Sequence, residues 1–187
     1  MIEFSRCWAM PNKNTFKIKP IKELINKYID GNDGKIIIDP FSNNNKIANI
    51  TNDLNPDFST DYNMDALDFL KIFDDNSVDG ILFDPPYSPR QVSECYKELG
   101  KTVNMATTQS SYWGNLKKEI SRIVKEDGFV ISFSWNSGGI GKKLGFTIKE
   151  ILLVPHGGWH NDTICVVDIK TNNISIEKLE NNSFEEW

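Results

Sequence analysis

Apolar positions along the chain fall into two kinds of block, some recurring at helical spacing and others forming short unbroken runs. Behind Pro20, which suits a helix's first turn, Ile21, Leu24, Ile25 and Tyr28 recur as one face of an amphipathic helix. Lys35 to Asp39 is a compact strand candidate, and Ile47 to Ile50 is a second apolar stretch. Asp65 stands as a helix N-cap before Ala66, Leu67, Phe69 and Leu70. After a turn at Asp74 to Ser77, the run from Val78 to Phe83 is β-branched, aromatic and small enough for a strand buried on both faces. Ser88, Pro89 and Arg90 open a helix through about Leu99, with Val92, Cys95, Tyr96 and Leu99 on one side. Tyr112 to Val124 is another, with Leu116, Ile120, Ile123 and Val124 inward and a face of Lys117, Lys118, Arg122 and Lys125 turned to solvent. Asp127 and Gly128 turn into a buried strand from Phe129 to Trp135, and Gly138 to Lys143 reads as a turn before a short helix. Phe146 to Val154 and Thr163 to Ile169 are two last strands, joined by a loop from Pro155 to Asp162.

Strands and helices alternate from Lys35 to Ser134, which implies an α/β fold: a mostly parallel sheet with helices on both faces. The final hairpin adds an antiparallel strand at one edge. At 187 residues, 39% of them hydrophobic, the chain suits one domain. Residues 1–34 form an N-terminal segment and helix, 35–170 the sheet, and 171–187 an asparagine-rich acidic tail anchored only by Ile174, Ile176, Leu179 and Trp187. From Gly100 to Ser111 the chain is polar and aperiodic, which fits either a solvated connector or a lid.

Cys7, Cys95 and Cys165 are an odd number at wide spacing with no CxxC, so neither a disulfide framework nor zinc is expected, and each reads as a buried or neutral thiol in a reducing cytoplasm. No run is long enough for a membrane span, and the first residues lack the pattern of a signal peptide. The net charge of −5 opposes generic polyanion binding, so a nucleic-acid partner requires the 21 basic residues to be concentrated on one face.

The sharpest chemical signal is Asp84, Pro85, Pro86 and Tyr87, directly after the central apolar run. Two prolines forbid continuation of the ladder, and Pro85 pushes Asp84 into an extended conformation. A carboxylate is thereby held at a strand's carboxyl end, the edge where ligands sit in open α/β sheets. This tetrapeptide resembles the D-P-P-Y motif of the amino methyltransferases, which move a methyl group from S-adenosyl-L-methionine to the exocyclic amine of adenine or cytosine. The likeness is most specific to a phage-like branch, where S-P-R-Q follows the motif, here Ser88 to Gln91, and an HGG-x-HND loop joins the last two strands, here His156 to Asp162.

The resemblance implies a Rossmann-like methyltransferase fold and a set of roles. Asp84 and a backbone carbonyl near Pro85 each accept one amine N–H, and Tyr87 stacks on the base; Pro86 completes the motif. Asp39, Pro40, Phe41 and Ser42 match the family's D-P-F-x-G-x-G cofactor turn, with Asn43, Asn44 and Asn45 where glycines are usual. Asparagine tolerates positive φ, so the turn still forms, but its side chain takes space beside the methionine moiety. Asp53, 14 positions beyond Asp39, is placed for ribose hydroxyls. Asp65 and Ala66 resemble the adenine-binding motif, compatibly with the N-cap role. Thr15 to Pro20 resembles the motif that lines the cofactor pocket, and reads equally as the lead into a plain amphipathic helix. The loop carrying Trp159 packs against a flipped-out base. His156 and His160 lack metal-ligand spacing and suit ordinary loop hydrogen bonding.

The leading function is therefore adenine-N6 methylation of DNA with base flipping, with cytosine N4, RNA or a protein amide as other acceptors of the same chemistry. A different class is a catalytically silent partner subunit, suggested by Asn43 to Asn45 and by the lack of any stretch for a separate recognition domain. Loops or a protein partner then supply sequence recognition. A nicotinamide enzyme has little support without GxGxxG.

Overall fold

The computed structural model describes residues 1–31, 34–100 and 110–171. Seven strands form one sheet in the order β1-β6-β7-β5-β4-β2-β3. The strands are β1 (Glu3–Arg6), β2 (Ile37–Asp39), β3 (Ile50–Thr51), β4 (Val78–Phe83), β5 (Val124–Ser134), β6 (Phe146–Val154) and β7 (Thr163–Lys170). The helices are α1 (Lys19–Ile29), α2 (Ala66–Lys71), α3 (Pro89–Glu98) and α4 (Ser110–Ile123). β7 alone runs antiparallel to its neighbours β5 and β6; every other pairing is parallel.

β4 shows why this order holds. Ile81 and Phe83 are buried in the core beneath α2, α3 and α4, whereas Leu82 is buried in the opposite core beneath α1. Both faces are dry, so the strand reads as a continuous apolar run rather than an alternating one. α1 lays Ile21, Leu24 and Ile25 on its side of the sheet, and Lys27 and Tyr28 both reach Glu150 on β6, at 2.7 and 2.8 Å.

Four expectations need correction. The sequence pattern does not predict β1: all four residues are exposed, so no burial pattern marks the strand, and only its parallel pairing with Glu150 to Leu153 of β6 defines it. The stretch from Ile47 contributes only Ile50 and Thr51 to β3, because Asn49 instead pairs with Ile37 through both its backbone and its side chain. Asp127 and Gly128 do not precede β5 but form a bulge within it, with Asp127 at φ 61° and the register jumping from Val78↔Val124 to Gly80↔Phe129. The charged face of α4 is not simply solvated. Arg122 donates to the Leu70 and Phe73 carbonyls at the end of α2 and pairs with Asp75 and Glu119, while the Lys117 ammonium donates to the Gly139 carbonyl. Carbonyls left open at a helix end recruit such cations.

Of the cysteines, Cys165 is buried, but Cys7 and Cys95 are exposed, so α3 packs Val92 and Tyr96 inward without Cys95. Among the described residues no helix is long and apolar enough to cross a membrane. The lid or connector read over Gly100 to Ser111 falls mostly outside the described residues, as do 172–187 of the tail.

Gly80 on β4 pairs with Phe129 of β5 and has no room for a side chain. A Cβ built there lies 2.4 Å from the Phe129 ring and 2.8 Å from Ile37. Gly80→Ala should therefore overpack the sheet and lower unfolding stability by about 1–3 kcal/mol in denaturant titration. The double variant with Phe129→Leu should recover part of that loss; a fully stable single variant would show that the ring moves aside freely.

Candidate active site

The chain leaves β2 for β3 on one side and later returns to β4 on the other, so the loops after β2 and β4 diverge and open a crevice at their carboxyl ends. A cleft of about 600 Å³ lies there, a size suited to a small ligand. Pro40, Phe41, Asp53, Asp65, Ala66 and the whole of Asp84 to Tyr87 line it, bringing together most of the residues singled out from sequence. Thr15 lines it too, as the resemblance implies. Asp39 and Ser42 sit behind the wall. Both are buried, Ser42 donates its N–H to the Asn52 carbonyl, and Asp39 accepts the Phe41 N–H through Oδ1, while its Oδ2 has no partner.

Asp84 caps the floor. The Tyr87 hydroxyl donates to Asp84 Oδ1 at 2.6 Å, and the Thr15 side chain also hydrogen-bonds the carboxyl. Burial pushes the Asp84 carboxyl up to about 6, and these two hydrogen bonds hold it from rising further. The turn is fixed from two sides: the Tyr87 N–H donates to Gln91 Oε1 at 2.6 Å, and the Trp113 indole N–H donates to the Pro86 carbonyl at 3.0 Å. Tyr87 also meets Trp135 edge to face at 5.4 Å. Gln91, Trp113 and Trp135 went unassigned from sequence because their partners are distant or on the backbone. Only Gln91 left a signal, as the last residue of S-P-R-Q.

The turn after β2 forms as an asparagine turn. Asn43 adopts φ 50° and its N–H donates to Asp53 Oδ2 at 2.9 Å, while Asp53 Oδ1 accepts the Asn55 N–H at 2.9 Å. Asp53 thus ties the turn after β2 to the end of β3 and still faces the cleft; burial raises its carboxyl, against those backbone bonds. Asp65 caps α2 through the Leu67 N–H at 2.9 Å and accepts the Tyr96 hydroxyl on its other oxygen. The β6–β7 loop lies apart from the cleft lining. His156 is buried and bonds the Ala9 carbonyl and Thr163 at 2.8 and 2.9 Å, and Trp159 is fully exposed.

Solved structures similar to this one include two methyltransferases. Burkholderia thailandensis 1,6-didemethyltoxoflavin-N1-methyltransferase, with bound 1,6-didemethyltoxoflavin and S-adenosylhomocysteine, superposes with TM-score 0.55 at 11% identity over 82% of this chain and 78% of that one. TrmN from Thermus thermophilus gives TM-score 0.51 at 16% identity over 82% of this chain and 49% of that one, so the match spans about half of TrmN. No protein-family model and no curated sequence matches the chain. The fold is accordingly the Rossmann-like methyltransferase fold, mostly parallel with its antiparallel β6–β7 pair.

The Asp84 environment has a titration signature. Its carboxyl should be protonated below about pH 6 and ionised above, read from the side-chain carboxyl carbon by NMR. Tyr87→Phe removes a donor to the ionised form and should move that midpoint upward. An Asp84 midpoint near 4 in both proteins would mean the carboxyl is solvated.

Proposed function

We propose that the chain transfers the methyl group of S-adenosyl-L-methionine to the exocyclic N6 amine of adenine in DNA, with the base flipped into the cleft beside Asp84. The observation that carries this reading is the position of Asp84 to Tyr87: at the carboxyl end of the central strand, on the floor of the cleft at the switch point. The S-adenosylhomocysteine bound to the similar Burkholderia enzyme supports the cofactor. So does charge. Among the described residues the cleft lining has six carboxyls, Asp53, Asp57, Asp65, Asp84, Glu94 and Glu98, against the single amine of Lys13. That field favours a ligand with a sulfonium and an ammonium and disfavours the phosphates of a dinucleotide.

When bound, the cofactor supplies an electrophilic sulfonium methyl. Phe41, Asn43, Asp53, Asp65 and Ala66 would hold it, with Asp53 and Asp65 offering acceptors to hydroxyl and amine donors. An adenine amine is a weak nucleophile because its lone pair is delocalised into the ring. Asp84 accepts one of its N–H groups and a backbone carbonyl at Pro85 the other, drawing the nitrogen toward tetrahedral geometry for in-line attack. The Tyr87 hydroxyl, on Oδ1, and the Thr15 side chain fix the carboxylate's orientation. As the N–C bond forms and the S–C bond breaks, positive charge grows on the nitrogen beside this carboxylate, which thus stabilises the transition state more than the ground state. S-adenosylhomocysteine would be the leaving group, and the methylated amine would lose one proton to solvent water.

A second reading, a catalytically silent partner subunit, is favoured by Asn43, which lines the cleft where the family has small residues. Calorimetry with S-adenosyl-L-methionine separates the two, since a silent scaffold gives no heat.

Asp84→Ala and Asp84→Asn should each lower single-turnover transfer of labelled methyl to adenine-containing DNA by at least about 10²-fold, with cofactor affinity nearly unchanged. Transfer at the wild-type rate by both variants would reduce Asp84 to a strand terminator, and a wild type silent on DNA and RNA would put the partner-subunit reading first.

Asp53→Ala should weaken S-adenosyl-L-methionine by about 1.5–3 kcal/mol in the same calorimetry, through loss of an ionised acceptor and of the tie to the Asn43 turn. An unchanged dissociation constant would remove Asp53 from the site.

A further inference from the structure

The carboxyl edge of the sheet has a second half that the cleft does not use. β1, β6, β5 and β4 all run in the same direction, so Trp8 after β1, the β6–β7 loop, Trp135 after β5 and Asp84 after β4 come out on one edge. Three tryptophans on this edge are exposed: Trp159 fully, Trp8 at 57% and Trp135 at 43%. Trp8 stands against the β6–β7 loop, its indole nitrogen 3.4 Å from a Cβ built on Gly157, while Trp135 touches Tyr87. The N-terminal segment joins the two ends: Cys7 and Ala9 bond the Leu153 and Pro155 carbonyls, and the chain then crosses to Lys13 and Thr15 at the cleft.

Charge divides along the same line. Residues 6–19, 135–141 and 155–162, which build this half, contain Arg6, Lys17 and Lys19 against Asp162 alone, with Lys13 standing where the segment reaches the cleft. The cleft half carries the six carboxyls. A polyanion approaching Asp84 is therefore repelled from one half of the edge and attracted to the other, despite a net charge of −5.

We propose that this half of the edge binds an unpaired nucleic-acid strand, its bases stacking on Trp159, Trp8 and Trp135 and its phosphates meeting the basic N-terminal segment, so that the substrate is single-stranded or locally opened. The proposal rests on the nucleic-acid reading above and deepens it. Exposed rings reward bases whose faces are open, and in an intact duplex neighbouring bases cover those faces. β1 to β4 is four strand spacings, about 19 Å. That is the length of roughly five or six stacked nucleotides at about 3.4 Å each.

The test is fluorescence anisotropy with the full chain, using a labelled adenine-containing DNA strand of about a dozen nucleotides and the same strand in a duplex, at one salt concentration. The strand should bind at least about tenfold tighter than the duplex. Trp159→Ala and Trp8→Ala should each weaken strand binding at least about fivefold while leaving thermal melting unchanged, since neither ring is buried. Equal affinity for strand and duplex, or variants that bind like wild type, overturns the proposal. So does absence of binding to either, which would assign the ridge to a protein partner. Tryptophan-dependent strand binding without methyl transfer keeps the ridge and rejects the catalytic reading; methyl transfer with tryptophan-independent binding does the reverse.

Discussion

β4 has no free face, and the site depends on that. Its side chains are shared between two cores, so the strand cannot slip by one residue without exchanging Ile81 and Phe83 for Leu82. The register fixes where Phe83 ends, and Pro85 and Pro86 fix that nothing continues the ladder beyond it. The Asp84 carboxylate is thus placed by hydrophobic burial behind it and by proline stiffness ahead of it. Tyr87, Gln91 and Trp113 then orient a group whose position is already determined.

The same geometry sets the electrostatics. The Asp84 carboxyl stands at the end of a doubly buried strand, and desolvation is the largest influence on it. Folding favours the protonated form, so the stability that this group contributes is present at low pH and is lost as pH rises through about 6. The protein keeps this arrangement at some cost, offset by the Tyr87 and Thr15 hydrogen bonds. A carboxylate poised near neutral accepts hydrogen bonds strongly while remaining ionised at physiological pH.

What was legible in the sequence was local. The central strand, the Asp65 cap, the asparagine turn at positive φ and the final hairpin all announce themselves within a few residues, by burial pattern or by turn chemistry. What was hidden depends on pairing across the fold. β1 has no buried residue to mark it, the β5 bulge exists only against β4, and Arg122 on a polar helix face gives no hint that α2 ends beneath it. In the site the division is the same: Asp53 and Asp84 stand at recognisable strand ends, whereas Trp113 and Trp135 join through contacts 27 residues away in one case and across the sheet's edge in the other. Trp159, expected against a flipped base, instead stands in solvent beyond the cleft lining, because two glycines with positive φ, Gly157 and Gly158, carry it outward.

The net charge of −5 is an average over the whole chain. Fields act over about 8–10 Å at physiological salt, so the sign that matters is that of the surface a ligand meets. The acids of the cleft stand on α3, at the end of β4 and in the segment between β3 and α2. The N-terminal segment, which β1 anchors to β6 at the far side of the sheet, brings Lys13 back to the cleft that Asp84 lines. An exposed edge strand of four residues contributes little to the core, yet it fixes one end of a basic segment that runs from the outermost strand to the cleft. Opposite charges are thus segregated along a single sheet edge, although the whole chain carries a net −5.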